Sequence, residues 1–460
     1  MSEPLSFTPA GRCLGSEAGS PVHRRHVLFI PGYDPEAEGR YRKLFVREMI
    51  RYAKRFGLAR REISRIDVLP EVPALRWDVV VGTDRWTTRT EFEVLRWDDI
   101  VLADFRRPLP VVIVLLFAGV FSSLVTGTMV KFWRLNWKFG GVILYPAVMV
   151  LAFLAASFGI GLAVDALLSS WFPAGPLARW ALVLGVAGLS FSALYRLGER
   201  WFVWHLMHDW VFNFQHGMGW RPDYQLRVER FARRLSEAMR DSRTDEVLVV
   251  GHSSGSTMAV DIVAEALSSD PHLTRERPEL ALLTLGSCVP IVALNPVARR
   301  YRDGMRRIMT EPGLFWAEYQ APQDWINFAG FNPARDLGLG IAPATCRNPT
   351  IRSTRFKEIV AEKTYQDIVF KPFRMHFQFL MANDRAGEYD FLMMTAGPIT
   401  LRERIRLGDA SAETVLGVVL PSDPSRDKAV EPAKAEGLTA AAIKRDGTPP
   451  GSGLDAIGAF

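Results

Sequence analysis

The pentapeptide Gly251-His252-Ser253-Ser254-Gly255 has the form G-x-S-x-G. Three fixed positions in five recur by chance, so the setting carries the information. The run Glu246-Val247-Leu248-Val249-Val250-Gly251 reads as a compact buried strand that ends at the motif. From Ser256 to Leu267 the apolar residues Met258, Ala259, Ile262, Val263 and Ala266 return at helical spacing. A serine between strand and helix, flanked by small residues, suits a strained turn that lifts its Oγ above a sheet. The helix N-terminus adds a positive dipole end and N–H donors near a developing oxyanion. Nucleophilic attack on a carbonyl needs both. The same residues would also serve as a plain strand-to-helix turn with a serine N-cap.

A serine hydroxyl is a poor nucleophile without a general base. The chain holds eight histidines. His252 lies inside the motif and cannot face its neighbour's Oγ productively. His205, His208 and His216 belong to a Trp-rich stretch where amphipathic rings are expected in any case. His272 is only a helix away from Ser253. His376 is the one histidine beyond Leu314, in Phe373-Arg374-Met375-His376-Phe377, read as a loop leading into 377–382. A partly buried histidine among aromatics is its alternative reading.

The elements that must position these groups alternate. His26-Val27-Leu28-Phe29-Ile30 predicts a buried strand running into the sharp loop Pro31-Gly32-Tyr33-Asp34. Between Tyr41 and Phe56, Leu44, Phe45, Met49, Ile50 and Ala53 mark an amphipathic helix that Gly57 can end. Short strands are expected at Trp77–Val81 and Glu91–Leu95, and after the motif at Leu280–Leu285 and Leu314–Tyr319. Leu226, Phe231, Leu235 and Met239 give a further helix one apolar face. Strands alternating with helices imply a mainly parallel α/β sheet.

With strand, serine turn and helix in this order, the chain resembles the α/β-hydrolase superfamily, in its lipase/esterase-like branch, over about residues 22–100 and 222–420. The resemblance implies a Ser nucleophile, an acid after a later strand and a histidine near the end. His376 stands where that base would sit. Asp324 follows the strand Phe315–Tyr319 and stands where the acid would sit, to orient the imidazole and offset its charge. Glu318 lies within the strand, Asp336 is the reserve candidate, and Asp390 falls after the histidine. The implied catalytic residues are therefore Ser253, Asp324 and His376. The implied oxyanion donors are the amides of Ser254 and of the loop after the first strand, where Tyr33 is favoured over Gly32. Pro31 replaces the His of the common His-Gly lipase loop, and Pro31–Pro35 would also serve as a simple turn.

Between the two halves the composition breaks. Leu109–Val130 and Phe139–Val164 are uncharged and, at about 1.5 Å per residue, long enough to cross about 30 Å of hydrocarbon. Lys131, Arg134 and Lys138 separate them. Trp180–Tyr195 is shorter, and Trp201, Trp204, Trp210 and Trp220 with Phe202, Phe212 and Phe214 favour a membrane–water interface, so both stretches are expected to lie at the interface or against the domain. If both halves build one sheet, the insert must cross an even number of times: two spans, or a re-entrant hairpin. The division expected is a flexible start at 1–21, sheet domain at 22–107, membrane insert at 108–220 with its interfacial part at 180–220, sheet domain again at 221–420, and a disordered tail at 421–460.

The 460 residues carry 56 Lys and Arg against 50 Asp and Glu, a net +6, with 48% hydrophobic and 23% charged residues. That is too apolar for a disordered chain. The charge is dispersed, so nucleic acid is not an expected partner. Three scattered cysteines exclude a disulfide framework and a Cys-x-x-Cys metal site. His205, His208 and Asp209 have helical spacing, but no carboxylate lies near to complete a site, so no metal or cofactor is expected. No cleavable secretory signal is visible, which places the sheet on the cytoplasmic face of a bacterial-type inner membrane, although Lys131, Arg134 and Lys138 then oppose the positive-inside tendency. The expected function is a membrane-anchored serine hydrolase of carboxylic esters, with membrane lipids as partners and lipid or acyl esters as substrates. The alternatives are a catalytically silent membrane scaffold and an acyltransferase using the same triad.

Overall fold

The apolar runs around 27, 248 and 282 lie side by side. The computed structural model describes residues 21–171, 173–275 and 278–417. Apart from residue 21, the proposed flexible start lies outside the described residues, as does the 421–460 tail. Nine strands form one sheet: β1 Arg24–Ile30, β2 Arg60–Ile63, β3 Asp67–Leu69, β4 Ala74–Gly82, β5 Thr87–Leu95, β6 Glu246–His252, β7 Glu279–Leu285, β8 Leu314–Gln320 and β9 Thr350–Ser353. Their order is β2-β4-β5-β1-β6-β7-β8-β9, with β3 also paired to β4. From β5 to β9 every pair is parallel, and β2, β3 and β5 meet β4 antiparallel.

The burial pattern explains the order. β6 is buried along its whole length and β7 at all but its first residue, as central parallel strands covered on both faces must be. β2 has no buried residue and stays at the edge. The helix Ala37–Phe56 turns Tyr41, Leu44, Phe45, Met49 and Tyr52 inward, and Gly57 ends it in the left-handed conformation. The helix Pro222–Met239 buries Tyr224, Val228, Phe231 and Leu235, and Arg234 donates to both carboxylate oxygens of Glu93 on β5. The two short strands expected around 77–81 and 91–95 are longer, form a hairpin, and gain the small partners β2 and β3. Charge-rich edge strands such as Arg60–Ile63 carry no apolar run by which to be read.

The chain divides into two units. One comprises the described residues up to Asp99 together with Asp223–Val289 and those from Arg302 onward; the other comprises Ile100–Pro222 and Pro290–Tyr301. The second unit is helical, and two expectations change there. The run Leu109–Val130 is not one helix. It is helical from Leu109 to Val125, breaks where Gly127 takes φ +70°, and resumes as Thr128–Leu135. An uncharged window sets no helix end, whereas a left-handed glycine does. Trp180–Tyr195, expected at the interface or against the domain, is the middle of a continuous helix Pro176–Arg200, because Pro176 starts it and Arg179 is paired to Asp165. In the aromatic stretch Trp204, Trp210, Phe212 and Phe214 pack as buried protein core on the helix Val203–Gly217, while Trp201 and Trp220 are exposed. There Trp204 stacks on Tyr195 at 4.7 Å, and His208 stacks on Phe105 at 4.5 Å. Burial pushes His208 down to about 4.

Two helices, Trp137–Ser169 and Pro176–Arg200, are long and apolar enough to cross a membrane. Leu109–Val125 reaches that length only together with Asp98–Phe105, from which it is bent by 106°.

Candidate active site

Ser253 follows directly on the last residue of β6. Its φ of +57° lies in the left-handed region, which costs a residue with a side chain about 1–3 kcal/mol. Hydrogen bonds hold the turn in that shape. Ser253 N–H donates to Leu285 O (3.0 Å), while Ser253 O accepts from Ser256 N–H (3.0 Å), from Cys288 N–H (3.3 Å) and from the Ser256 hydroxyl. Gly255 opens the following helix, Gly255–Ser269. A Cβ there would fall 2.3 Å from the carbonyl oxygens of Ile30 and Pro31, so glycine alone lets the helix begin this close to β1. Ser253 Oγ itself lies 3.8 Å from Cys288 Sγ.

His376 is not on a loop: it sits in the short helix Pro372–Phe377, which Pro372 initiates. Its Nδ1 donates to Asp324 Oδ2 at 2.6 Å, and the two side chains are 4% and 0% exposed. A carboxylate only accepts, so Nδ1 carries a proton, and in the neutral tautomer this selects, Nε2 is the nitrogen with the lone pair. That Nε2 is buried without a hydrogen-bond partner. Gly286, at φ +53°, is the surface on which the ring rests: a Cβ there would meet His376 Cε1 at 2.8 Å. Gly286 follows Leu285, whose carbonyl holds the Ser253 amide, so serine and imidazole share the C-terminal ends of neighbouring strands β6 and β7. The hydrogen bond between Ser253 Oγ and His376 Nε2 is not closed. In ligand-free enzymes such bonds are often long and tighten around substrate.

Asp324 is fixed from its other side. Its Oδ1 accepts from Ile326 N–H (2.8 Å), and Asn327 Nδ2 donates to the carbonyls of Ala321 (2.8 Å) and Asp324 (2.9 Å). The loop after β8 is thereby a closed, side-chain-buttressed turn. The other carboxylates are engaged elsewhere. Glu318 is buried in the sheet, accepts from the Thr284 hydroxyl (2.9 Å) and Gln320 Nε2 (3.3 Å), and is pushed up to about 7 by burial. Asp336 pairs with Arg335 and accepts the Asn332 amide (2.8 Å), and Asp390 caps the helix Phe391–Ala396.

The loop after β1 lies against the serine. A Cβ on Gly32 would stand 3.1 Å from Ser253 Cβ and 3.5 Å from Oγ. Trp97 Nε1 donates to Pro31 O (2.9 Å), and the Tyr33 ring meets Trp97 edge-on at 5.8 Å. Tyr41, close to Asp34, is buried under this loop, and burial pushes its phenol well above the usual tyrosine range. Ser254 is the N-cap position of the helix that follows the serine.

Sequence reasoning missed four residues around this cluster. His252 packs its ring 4.7 Å from that of His376, and its Nε2 donates to the His376 carbonyl (3.3 Å). Burial, and then the charge His376 would carry, holds His252 well below the usual histidine range, so it stays neutral. Cys288, Gly286 and Asn327 have no motif of their own. The one legible signal is Asp324-x-x-Asn327, a pair of residue types that close turns.

Among the described residues one group, His26, Glu91 and Glu93, brings metal-ligand atoms within 4.8 Å of one another. Its charge is already balanced from within. Burial favours protonated Glu93, but Arg234 and His26 outweigh it and hold the carboxyl down to about 2. Arg234 thus occupies the place a cation would take. The chain matches no protein-family model, no curated protein and no solved structure.

Proposed function

We propose that this protein is a membrane-anchored serine hydrolase that cleaves carboxylic esters through an acyl-enzyme. The observation that carries the reading is Ser253, held at positive φ at the end of a central parallel strand, beside a buried imidazole whose Nδ1 is bound to buried Asp324. Ser253 Oγ attacks the ester carbon while His376 Nε2 takes its proton. The oxyanion forms against the amides of Ser254 and Tyr33, at the start of the following helix and in the loop after β1. Collapse breaks the C–O bond, and His376 returns the proton to the leaving alcohol. Water then adds to the acyl carbon, again giving its proton to His376, and Ser253 leaves as the free hydroxyl with the acid as product. Asp324 keeps the proton on Nδ1 and balances the imidazolium in each half. The apolar helices Trp137–Ser169 and Pro176–Arg200 anchor the chain in a bilayer, which favours lipid or acyl esters as substrates.

The open Ser253–His376 bond favours a second reading, a silent scaffold with the same fold. Labelling by a fluorophosphonate probe in isolated membranes separates the two. The hydrolase reading expects covalent label on the wild type and none on Ser253→Ala. Absence of label, or label surviving Ser253→Ala, refutes it. An acyltransferase would use the same acyl-enzyme with an alcohol or amine replacing water, and product analysis with added acceptor distinguishes it.

A further inference from the structure

Asp165 and Arg179 are the only charged residues between positions 139 and 195. They are paired with each other: Arg179 Nε donates to both Asp165 oxygens (3.1 Å each) and Nη2 to Oδ2 (2.6 Å). The pair joins the end of the helix Trp137–Ser169 to the start of Pro176–Arg200. At the other end of the same two helices, the Tyr145 hydroxyl donates to the Trp201 carbonyl (3.0 Å). Between these ties the helices run close, since a Cβ on Gly161 would touch Val183 O at 2.5 Å.

The two ties bound a layer of defined thickness. From Tyr145 to Asp165 is 165 − 145 = 20 residues, about 30 Å of helix, and from Arg179 to Trp201 is 201 − 179 = 22 residues, about 33 Å. A bilayer's hydrocarbon core is about 30 Å. Leu151, Leu154, Phe158, Ile160, Leu162, Leu184 and Leu189 face outward along that layer. Trp171 and Trp180 are exposed near one rim, with Trp137 and Trp201 near the other, as the aromatic belts of a spanning element require.

We propose that these two helices form a hairpin that crosses a phospholipid bilayer once in each direction. Its hydrocarbon layer runs from Tyr145 and Trp201 on the side of the sheet to the Asp165–Arg179 ion pair on the far side. Leu109–Val125 does not cross. β1 and β5 precede the insert, β6 follows it, and β1 pairs with both, so the crossings between Leu95 and Glu246 are even in number. The hairpin supplies two, so a single further crossing by Leu109–Val125 would break that parity.

This inference rests on the bilayer anchoring proposed above, and its test leaves the serine chemistry as a separate readout. Single cysteines are placed on the full chain at Val68→Cys, exposed on β3, and at Trp171→Cys or Ala174→Cys at the hairpin tip, with Cys13 and Cys346 replaced by Ser and buried Cys288 retained. Sealed inverted vesicles and right-side-out vesicles are treated with a membrane-impermeant maleimide. The expected result is opposite accessibility: in each preparation one site labels directly and the other only after detergent. Labelling of Val68→Cys and both tip variants from the same compartment would mean a re-entrant or surface hairpin and overturn the proposal. So would release of the chain by alkaline wash. Fluorophosphonate labelling in the same vesicles reports on Ser253 independently.

Discussion

Replacing Asp324 by Asn tests the site at its most determined contact. Asn keeps the shape, and its Oδ1 can still accept the Ile326 amide that closes the loop. What it loses is the charge, 2.6 Å from His376 Nδ1 with both side chains buried. The amide now offers an N–H to Nδ1, which turns the imidazole to the tautomer with its proton on Nε2, the wrong nitrogen to accept from Ser253. At an effective dielectric of about 20, a carboxylate at that distance favours the imidazolium by about 6 kcal/mol. That corresponds to an upper limit of about 10⁴ to 10⁵ in rate. The expected outcome is a fall of about 10⁴ in kcat with KM little changed. The assay is hydrolysis of a short chromogenic ester by the detergent-solubilised full chain, with a thermal melt to show that the fold survives. A kcat within tenfold of wild type, in a variant that melts normally, would refute Asp324 as the orienting acid.

Other perturbations read neighbouring parts of the site. Gly286→Ala puts a methyl 2.8 Å from His376 Cε1 at φ +53°; kcat should fall about 100-fold in the ester assay, while the strain costs about 1 kcal/mol in a denaturant melt. Tyr41→Phe removes a fully buried hydroxyl close to Asp34 in the loop after β1; about a tenfold loss in kcat with unchanged KM is expected from steady-state kinetics. Glu318, raised by burial to about 7, binds a proton in the folded chain that it has lost in the unfolded one between its ordinary range and 7. Stability should therefore decline as pH rises through that window, by roughly 3 kcal/mol in all, and Glu318→Gln should flatten the decline in melts from pH 5 to 8.

The strands were legible where burial on both faces produces continuous apolar runs, as in β1, β6 and β7. The G-x-S-x-G turn was legible because its glycine and small residues are imposed by contact with the Ile30 and Pro31 carbonyls. What spacing did not reveal was every feature decided by long-range packing. The imidazole's resting place on Gly286, the His252 ring behind it and the Asn327 buttress depend on strands brought together from distant sequence. The same holds for the aromatic stretch. A Trp-rich helix looks alike whether it faces lipid headgroups or, like Trp204 and Trp210, the inside of a helical unit. The apolar run at 109–130 was misread because hydropathy averages over Gly127, whose single left-handed residue ends a helix.

The register of β1 on β6 also sets an order of events during synthesis. Ile30 pairs with Gly251, so 251 − 30 = 221 residues must follow before the serine strand reaches its neighbour. At 5–20 residues per second that is roughly 10–45 s on the ribosome. Throughout that interval one edge of β1 has no partner, and the hairpin helices emerge before β6 does. Contacts this distant in sequence form late and close a large loop. The turn that carries Ser253 can therefore take its place in the sheet only after the intervening helices have been synthesised, and on the proposed reading esterase competence would report that the membrane hairpin had already been made.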